Sequence, residues 1–401
     1  MLATPQNEVL FTTVRLPDKK YEDALDMMAN FCYYVWKTGA LDHLLILTTD
    51  NGTWWRLHNA GMPVYLDRAF PARPEYLNGD GNVKFSPNRV FDVQKHWWGW
   101  WIIENGFRAA YMDGDAVTIQ DPFLAFQDAE YDVQGLSDWV TAKLPQPGDL
   151  LAGGCNLYFW IEDPLSILKH TLSNSAPPFH AKETSLREFW RFPRQVQKLY
   201  AMNPCQSTGT WYLQPTAAAR AFMRAMARRV LQEPHHWDQT AWNEVILPFL
   251  WGNGEDAPQL RYRLLPHRSY ANANVVDRRR EEGLPLDLVV LHSGYLHGQE
   301  KSAAYQRLGY WHPERWAPIG QEYAQGRPGG LGAGGSGLGS LLRRFGAGSA
   351  LRPASGFGAL WTDKATLLGL LCLALVALVA AVRLSRDRRR ARGLAKRGLA
   401  C

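Results

Sequence analysis

The sequence of 401 residues is 46% hydrophobic and 20% charged, a composition that supports a full hydrophobic core and excludes a wholly disordered chain. Its net charge is +6, but residues 383–401 hold eight Arg and Lys side chains against one Asp. The rest of the chain therefore has a net charge of −1, and without a basic surface we expect no nucleic-acid partner.

Short apolar runs alternate with stretches of helical periodicity between residues 8 and 316, a pattern typical of α/β domains. We predict strands over 8–14, 41–49, 63–67 and 108–112, and helices over 21–37, 54–59 and 88–105. Strands joined by helical crossovers pair in parallel, with right-handed connections. The expected fold is thus a Rossmann-like, doubly wound and mostly parallel sheet that binds its ligand at the carboxyl ends of the strands.

Later in the chain, the pattern predicts strands over 131–136, 156–161 and 286–291, and helices over 216–232 and 236–250. Residues 1–325 would together form the folded domain. From 326 to 360 the sequence consists largely of Gly, Ser, Leu and Arg. Such a composition cannot bury a core, so we predict a flexible linker there.

Residues 365–382 contain no charge and no proline. An α-helix of this length spans roughly the hydrocarbon core of a bilayer, so we predict a single transmembrane helix. The basic residues 383–401 would stay in the cytosol, which places the large domain in the lumen of the Golgi or ER. Residues 1–11 lack the basic start and the apolar stretch of a signal peptide. We favour an incomplete or unusual N-terminus over the alternative, a tail anchor.

Two carboxylates, Asp113 and Asp115, directly follow the predicted strand 108–112 and are separated by Gly114. Hard oxygen ligands at the ligand-binding edge of such a sheet suit Mn²⁺ or Mg²⁺, with positions left for water and a diphosphate. The alternative is a tight Asp-Gly hairpin turn with solvated acids. The position after a strand that reads as buried favours the metal site.

Two further groups of polar residues follow predicted elements. Asp238 and Gln239 start a helix, where Asp238 would either cap the helix or face a sugar from a pocket wall. His292 ends an apolar strand and precedes Lys301, and these side chains can offer an imidazole to a metal and an ammonium to a phosphate. His297 is a rival for the role of the metal-binding histidine.

Several stretches carry a family resemblance through their order and spacing: Asn30-Phe31, 44–50, Lys95, 111–123, 131–138, 237–239 with Asn243, and 292–311. Together they resemble the nucleotide-diphospho-sugar transferase domain of glycosyltransferase family 77, which includes plant and algal arabinosyl- and xylosyltransferases. The resemblance spans about residues 9–311.

The resemblance implies a GT-A fold and a retaining transfer of a sugar from a nucleoside diphosphate. It also implies site residues: the metal ligands Asp113, Asp115 and His292, the catalytic pair Asp238 and Gln239, and the substrate-binding residues Thr12, Thr13, Asp50, Lys95, Asn156 and Lys301. The sequence departs from the family pattern at Gly114, at Gly294 and at residues 156–159. The family often has a branched residue, an Asn and Asn-x-Gly-Phe at these three places.

We therefore expect a membrane-anchored, Mn²⁺- or Mg²⁺-dependent retaining glycosyltransferase. It would move a pentose such as arabinose or xylose, or else galactose, from UDP to a cell-wall or secretory glycoprotein or polysaccharide. The alternative is a catalytically silent sugar-binding membrane protein on the same fold, suggested by the 17 Trp, 16 Tyr and 16 Phe residues. A magnesium-dependent phosphohydrolase with Asp113 as nucleophile would need a phosphate-binding Ser or Thr in register, which the sequence lacks.

Overall fold

The computed structural model describes residues 7–16, 23–68, 70, 89–138, 206–232, 238–251, 258–294 and 296–325. The strands are β1 (Glu8–Thr13), β2 (Leu44–Thr48), β3 (Val64–Leu66), β4 (Arg108–Met112), β5 (Ala116–Thr118), β6 (Val133–Ser137), β7 (Gln206–Leu213), β8 (Tyr262–Leu264), β9 (Tyr270–Asn272) and β10 (Val290–His292). The helices are α1 (Asp23–Lys37), α2 (Asn51–Asn59), α3 (Arg89–Glu104), α4 (Ala217–Gln232), α5 (Asp238–Trp251), α6 (Ala273–Glu281), α7 (Gln299–Leu308) and α8 (Trp316–Gln325). Short 3-10 helices occupy Leu41–His43, Pro122–Gln127 and Pro313–Arg315.

The larger sheet of the described region has the strand order β3-β2-β1-β4-β7-β6-β8. The first four strands in this order are parallel, as predicted. Strand β7 lies between β4 and β6 and is antiparallel to both, whereas β6 and β8 run in the same direction as the first four strands. The larger sheet is therefore mostly parallel, as predicted, and β7 makes it mixed. Strand β7 was not predicted, because its first half, Gln206–Gly209, lacks the apolar run expected of a central strand, although every residue of β7 is buried.

Both faces of the larger sheet are covered, as a doubly wound fold requires. On one face Leu10 and Met112 join a hydrophobic cluster with residues of α1. On the other face Phe11, Tyr111 and Trp211 pack as an aromatic group, and Trp211 continues into the rings of α4 and α5. Much of the aromatic surplus in this part of the chain is therefore core.

A smaller sheet joins β5, β10 and β9, with β5 antiparallel and β9 parallel to β10. The buried side chain of Asn30 ties α1 to the chain that follows α7. Its amide donates to the carbonyl of Tyr310 (3.1 Å), and its Oδ1 accepts from the backbone of His312 (2.7 Å). Asn30, one of the residues of the family resemblance, is thus a structural clamp here.

The predicted helices and strands up to residue 112 are present, with boundaries that differ by at most three residues. At the start of the predicted strand 41–49, Leu41–His43 forms a 3-10 turn before β2. The predicted strand 156–161, the linker 326–360, the membrane helix 365–382 and the tail 383–401 all lie outside the described residues. Within the described ranges, no helix combines the length and the apolar character needed to cross a bilayer.

Candidate active site

The turn after β4 carries Asp113 and Asp115 from the larger sheet to the smaller one. The amide of Asp113 donates to the carbonyl of Gly209 on β7 (2.8 Å), and the amide of Ala116 donates to the carbonyl of Asp113 (2.9 Å). Strand β5 then pairs with β10 in a register that sets Ala116 opposite His292. Both aspartates and His292 therefore meet at the carboxyl end of β4. The hairpin alternative is wrong, because β4 and β5 belong to different sheets.

Asp113, Asp115 and His292 can offer one ligand atom each to a single cation. These atoms all lie within 4.8 Å of one another, with His292 Nε2 at 3.4 Å from Asp113 Oδ2 and 3.3 Å from Asp115 Oδ1. Asp115 Oδ1 is buried, and besides Nε2 of His292 it has no hydrogen-bond donor among the described residues. Two carboxylates, one imidazole and a buried oxygen with no other donor fit a divalent cation such as Mn²⁺. His297 is exposed and is not part of this group.

Asn272 orients the imidazole of His292. Nδ1 of the ring lies 2.9 Å from Oδ1 of Asn272, whose own amide donates to the carbonyl of Ser137 (3.4 Å). Because the Asn272 oxygen can only accept, Nδ1 carries the hydrogen and Nε2 faces the aspartates. Burial lowers the pKa of His292, but Asp115 and Asp113 outweigh it and raise that pKa to about 9.

Several hydrogen-bond donors outside the turn hold Asp115 in position. Lys301 forms an ion pair with its Oδ2, the hydroxyl of Ser293 donates to the same oxygen (3.1 Å), and the Tyr305 hydroxyl donates to its carbonyl. Burial raises the pKa of Asp115, but the charges of Lys301 and His292 hold it well below its usual range. Asp115 thus stays ionised, as a metal ligand must.

A second buried cluster contains Lys95, His96 and Asp238. Lys95 Nζ lies 2.6 Å from Asp238 Oδ2 and His96 Nε2 lies 3.2 Å from the same oxygen. Burial would raise the pKa of Asp238, but Lys95 and His96 lower it far below its usual value, so the side chain is a carboxylate. Lys95 also lies over the ring of Tyr111 (5.3 Å), whose hydroxyl donates to Asp113 (2.6 Å). One tyrosine therefore separates the two clusters.

Gln239 and Asn243 fix the start of α5 against neighbouring strands. The side-chain amide of Gln239 donates to Asp138 (2.7 Å) at the end of β6. Asn243 accepts from the backbone amide of Gln206 (3.0 Å) and donates to its carbonyl (3.0 Å). Gln239 therefore lies next to Asp238, and its amide is already engaged by a carboxylate.

Of the remaining predicted substrate-binding residues, three lie in the described part of the chain. Thr12 and Thr13 end β1: Thr12 Oγ1 is buried with no hydrogen-bond partner in the described residues, and Thr13 Oγ1 lies 3.4 Å from the hydroxyl of Tyr111. Asp50 caps α2, because its carboxylate accepts from the amide of Thr53 (2.6 Å). Asn156 lies outside the described residues.

At two glycines where the sequence departs from the family pattern, a larger side chain would force a neighbouring side chain to shift. A Cβ on Gly114 would lie 2.4 Å from the sulfur of Met28, and one on Gly294 would lie 2.7 Å from Oδ1 of Asn272. Met28 and Asn272 occupy these spaces. Both glycines are therefore closely packed against side chains of the site, and the metal ligands keep their positions.

Gly209, on the unpredicted strand β7, is a further residue of the site. A Cβ there would lie 2.5 Å from His292 Cε1 and 2.9 Å from Asp113 Oδ2. We expect Gly209→Ala to weaken Mn²⁺ binding by about a hundredfold, because two ligands must move apart. Calorimetric titration with MnCl₂, with a thermal melt to verify folding, measures this. Unchanged affinity in a folded variant would leave Gly209 with a packing role only.

A sequence model described as nucleotide-diphospho-sugar transferase matches residues 39–303. No curated protein matches the sequence. Among solved structures, the chain is similar to a glycosyltransferase involved in glycosylation of the major capsid of PBCV-1, with 9% identity, 75% of this chain and 99% of that chain covered, and a TM-score of 0.36. The galactosyltransferase LgtC, solved in complex with donor and acceptor sugar analogs, is 10% identical, with 79% of this chain and 95% of that chain covered and a TM-score of 0.38. Mouse xyloside xylosyltransferase 1 is 12% identical, with 72% of this chain and 98% of that chain covered and a TM-score of 0.33. Likenesses this low carry no conclusion about donor or acceptor.

Proposed function

The chain belongs to the nucleotide-diphospho-sugar transferase family, whose sequence pattern covers more than half of it, and we propose that it is a metal-dependent, retaining glycosyltransferase that uses a UDP-sugar. Its α/β fold with a mixed sheet is of the GT-A type. The observation that carries the metal dependence is the convergence of Asp113, Asp115 and His292 within 4.8 Å.

The three ligands would hold Mn²⁺ or Mg²⁺. When bound, a divalent cation offsets the negative charge that the nucleoside diphosphate gains as it leaves the sugar. Lys301 adds a positive charge beside Asp115, where its ammonium can also bind a phosphate oxygen. Tyr111 fixes Asp113 through its hydroxyl, whose pKa burial and Asp113 raise well above the usual value, so that it stays a donor.

Asp238 would act on the sugar. When the bond between the anomeric carbon and the phosphate oxygen breaks, the electron pair leaves with the diphosphate and positive charge develops on the sugar ring. A carboxylate beside the ring stabilises that charge. Because Lys95 pairs with Asp238, its carboxylate is a weak base, which favours this electrostatic role over nucleophilic attack. The acceptor oxygen then bonds to the same face of the anomeric carbon, and its proton passes to the leaving phosphate oxygen.

Motif resemblance supports the finer parts of the proposal. It favours membership of family 77 and retention of configuration at the anomeric carbon. It also favours a pentose such as arabinose or xylose, or else galactose, as the transferred sugar. The favoured acceptor is a cell-wall or secretory glycoprotein or polysaccharide. The composition of residues 326–401 supports a Golgi or ER protein with a linker (326–360), a membrane helix (365–382), a cytosolic tail (383–401) and a lumenal domain (1–325).

A screen of UDP-sugars with the full chain tests the proposed activity. UDP-arabinose, UDP-xylose and UDP-galactose are each supplied with and without Mn²⁺, and UDP release is followed. We expect metal-dependent UDP release with at least one donor. Glycan binding without turnover of any donor would instead support the silent sugar-binding protein.

The affinity for Mn²⁺ should depend on pH through His292. Its pKa of about 9 means that the imidazole is protonated at neutral pH, and a cation must displace that proton from Nε2. Between about pH 6.5 and 8.5, the apparent Kd for Mn²⁺ is expected to decrease about tenfold per pH unit as pH rises. Calorimetric titrations at several pH values measure this. His292→Gln should bind more weakly with a flatter dependence, and a Kd independent of pH in the unsubstituted protein would contradict the assignment.

A further inference from the structure

His96 has no role in the activity proposed so far, although it directly contacts Asp238. It follows Lys95 on α3, and both side chains address the same oxygen, Oδ2 of Asp238, at 2.6 Å from Lys95 and 3.2 Å from His96. Among the described residues, none donates to the other oxygen, Oδ1. The carboxylate thus has one oxygen held by two donors and one oxygen left for another partner.

The protonation of His96 follows from its surroundings. Burial lowers the pKa of His96 to about 4, so the ring is neutral near pH 7 and carries one N–H. Because the carboxylate of Asp238 can only accept, that hydrogen is on Nε2. Nδ1 is buried and has no hydrogen-bond partner among the described residues.

Packing does not explain a histidine at this position. The ring is nearly parallel to Trp211, with ring centroids 6.1 Å apart, and lies 5.6 Å from the ring of Trp242. A phenyl ring would fill this space without leaving a buried nitrogen unpaired, which costs stability. The feature that an apolar ring cannot supply is the hydrogen bond to Asp238.

The two donors contribute differently to the position of Asp238. Lys95 supplies charge, and its ammonium is shared between Asp238 and the carbonyl of Thr208 (3.4 Å). His96 is fixed by two indole rings and supplies direction. Tyr111, which lies under Lys95, donates to Asp113 and so places this cluster beside the proposed metal site.

We propose that His96 is a positioning residue that fixes the Asp238 carboxylate so that Oδ1 faces the transferred sugar. The inference rests on the proposed glycosyl transfer. In this role His96 restricts rotation of the Asp238 carboxylate about its Cβ–Cγ bond, because two donors on Oδ2 fix the carboxylate plane better than one.

Steady-state kinetics of the full chain test this with two variants, using the UDP-sugar from the screen that gives the fastest UDP release. His96→Phe keeps the ring and removes the donor, and His96→Gln keeps an N–H donor of similar reach. We expect His96→Phe to lower kcat about tenfold, with the donor KM within about twofold and an unchanged or higher Tm. His96→Gln should recover kcat to within about threefold of the unsubstituted protein.

The outcomes separate this inference from the proposed function. No UDP release by the unsubstituted protein overturns the proposed function and this inference with it. If the unsubstituted protein releases UDP and His96→Phe has the same kcat, the inference alone is overturned. It is also overturned if the kcat of His96→Gln is as low as that of His96→Phe. If His96→Phe does not fold, His96→Asn replaces it, because the shorter amide does not reach Asp238. Equal kcat values for the Asn and Gln variants then overturn the inference.

Discussion

Replacing Asp115 with Asn is expected to lower kcat/KM for UDP release by about a thousandfold, or about 4 kcal/mol of transition-state stabilisation. Asp115 is more constrained than Asp113: its side chain is 11% exposed, against 37% for Asp113, and Lys301, Ser293 and Tyr305 all hold it. The amide keeps the shape of the side chain but removes the charge that a divalent cation requires.

A thermal melt separates loss of the metal site from loss of the fold. Mn²⁺ should raise the Tm of the unsubstituted protein, because a ligand that binds the folded state stabilises it, and should leave the Tm of Asp115→Asn unchanged. Asp277→Asn is the matched control, since Asp277 forms a partly exposed ion pair with Arg307. That variant should keep both its activity and its response to Mn²⁺. A folded Asp115→Asn protein with full activity would contradict the metal site.

Residues at the ends of predicted strands could be found from the sequence. Asp113 and Asp115 follow a strand whose apolar run, Ala109 to Met112, is fully buried as expected. The carboxyl edge of a wound sheet is where ligands bind, so these two residues could be placed at the site without coordinates. His292 could be found by the same logic, because it ends the apolar strand β10.

Residues whose position depends on pairing between distant strands could not be found. Gly209 comes close to His292 only because β7 runs antiparallel beside β4, and strand order and direction are not encoded in a local pattern. Asn272 contacts His292 because β9 pairs with β10. His96 was overlooked because a lone histidine on a predicted helix gives no signal until its tertiary partner, Asp238, is known.

Replacing Lys95 with Met is expected to destabilise the protein by about 3–5 kcal/mol and to lower turnover per folded molecule by about a hundredfold. The substitution leaves the carboxylate of Asp238 buried without its cation. Burial raises the pKa of Asp238 and Lys95 opposes that rise, so without Lys95 the pKa of Asp238 moves upward. Urea denaturation gives the stability, and UDP release at saturating donor gives the turnover.

The double variant Lys95→Met/Asp238→Asn separates folding from catalysis. Removing the uncompensated charge should restore most of the lost stability while turnover stays low, because the sugar no longer faces a carboxylate.

Arg229→Met is the matched control: it breaks the buried pair of Arg229 with Glu244, which lies on α5 as Asp238 does. Its stability should fall similarly with unchanged turnover per folded molecule. Equal losses of turnover in Lys95→Met and Arg229→Met would reduce the Lys95–Asp238 pair to a support of the fold. A loss confined to Lys95→Met and the double variant would place Asp238 at the transferred sugar, because the Arg229→Met control would show that α5 tolerates the loss of a buried ion pair elsewhere.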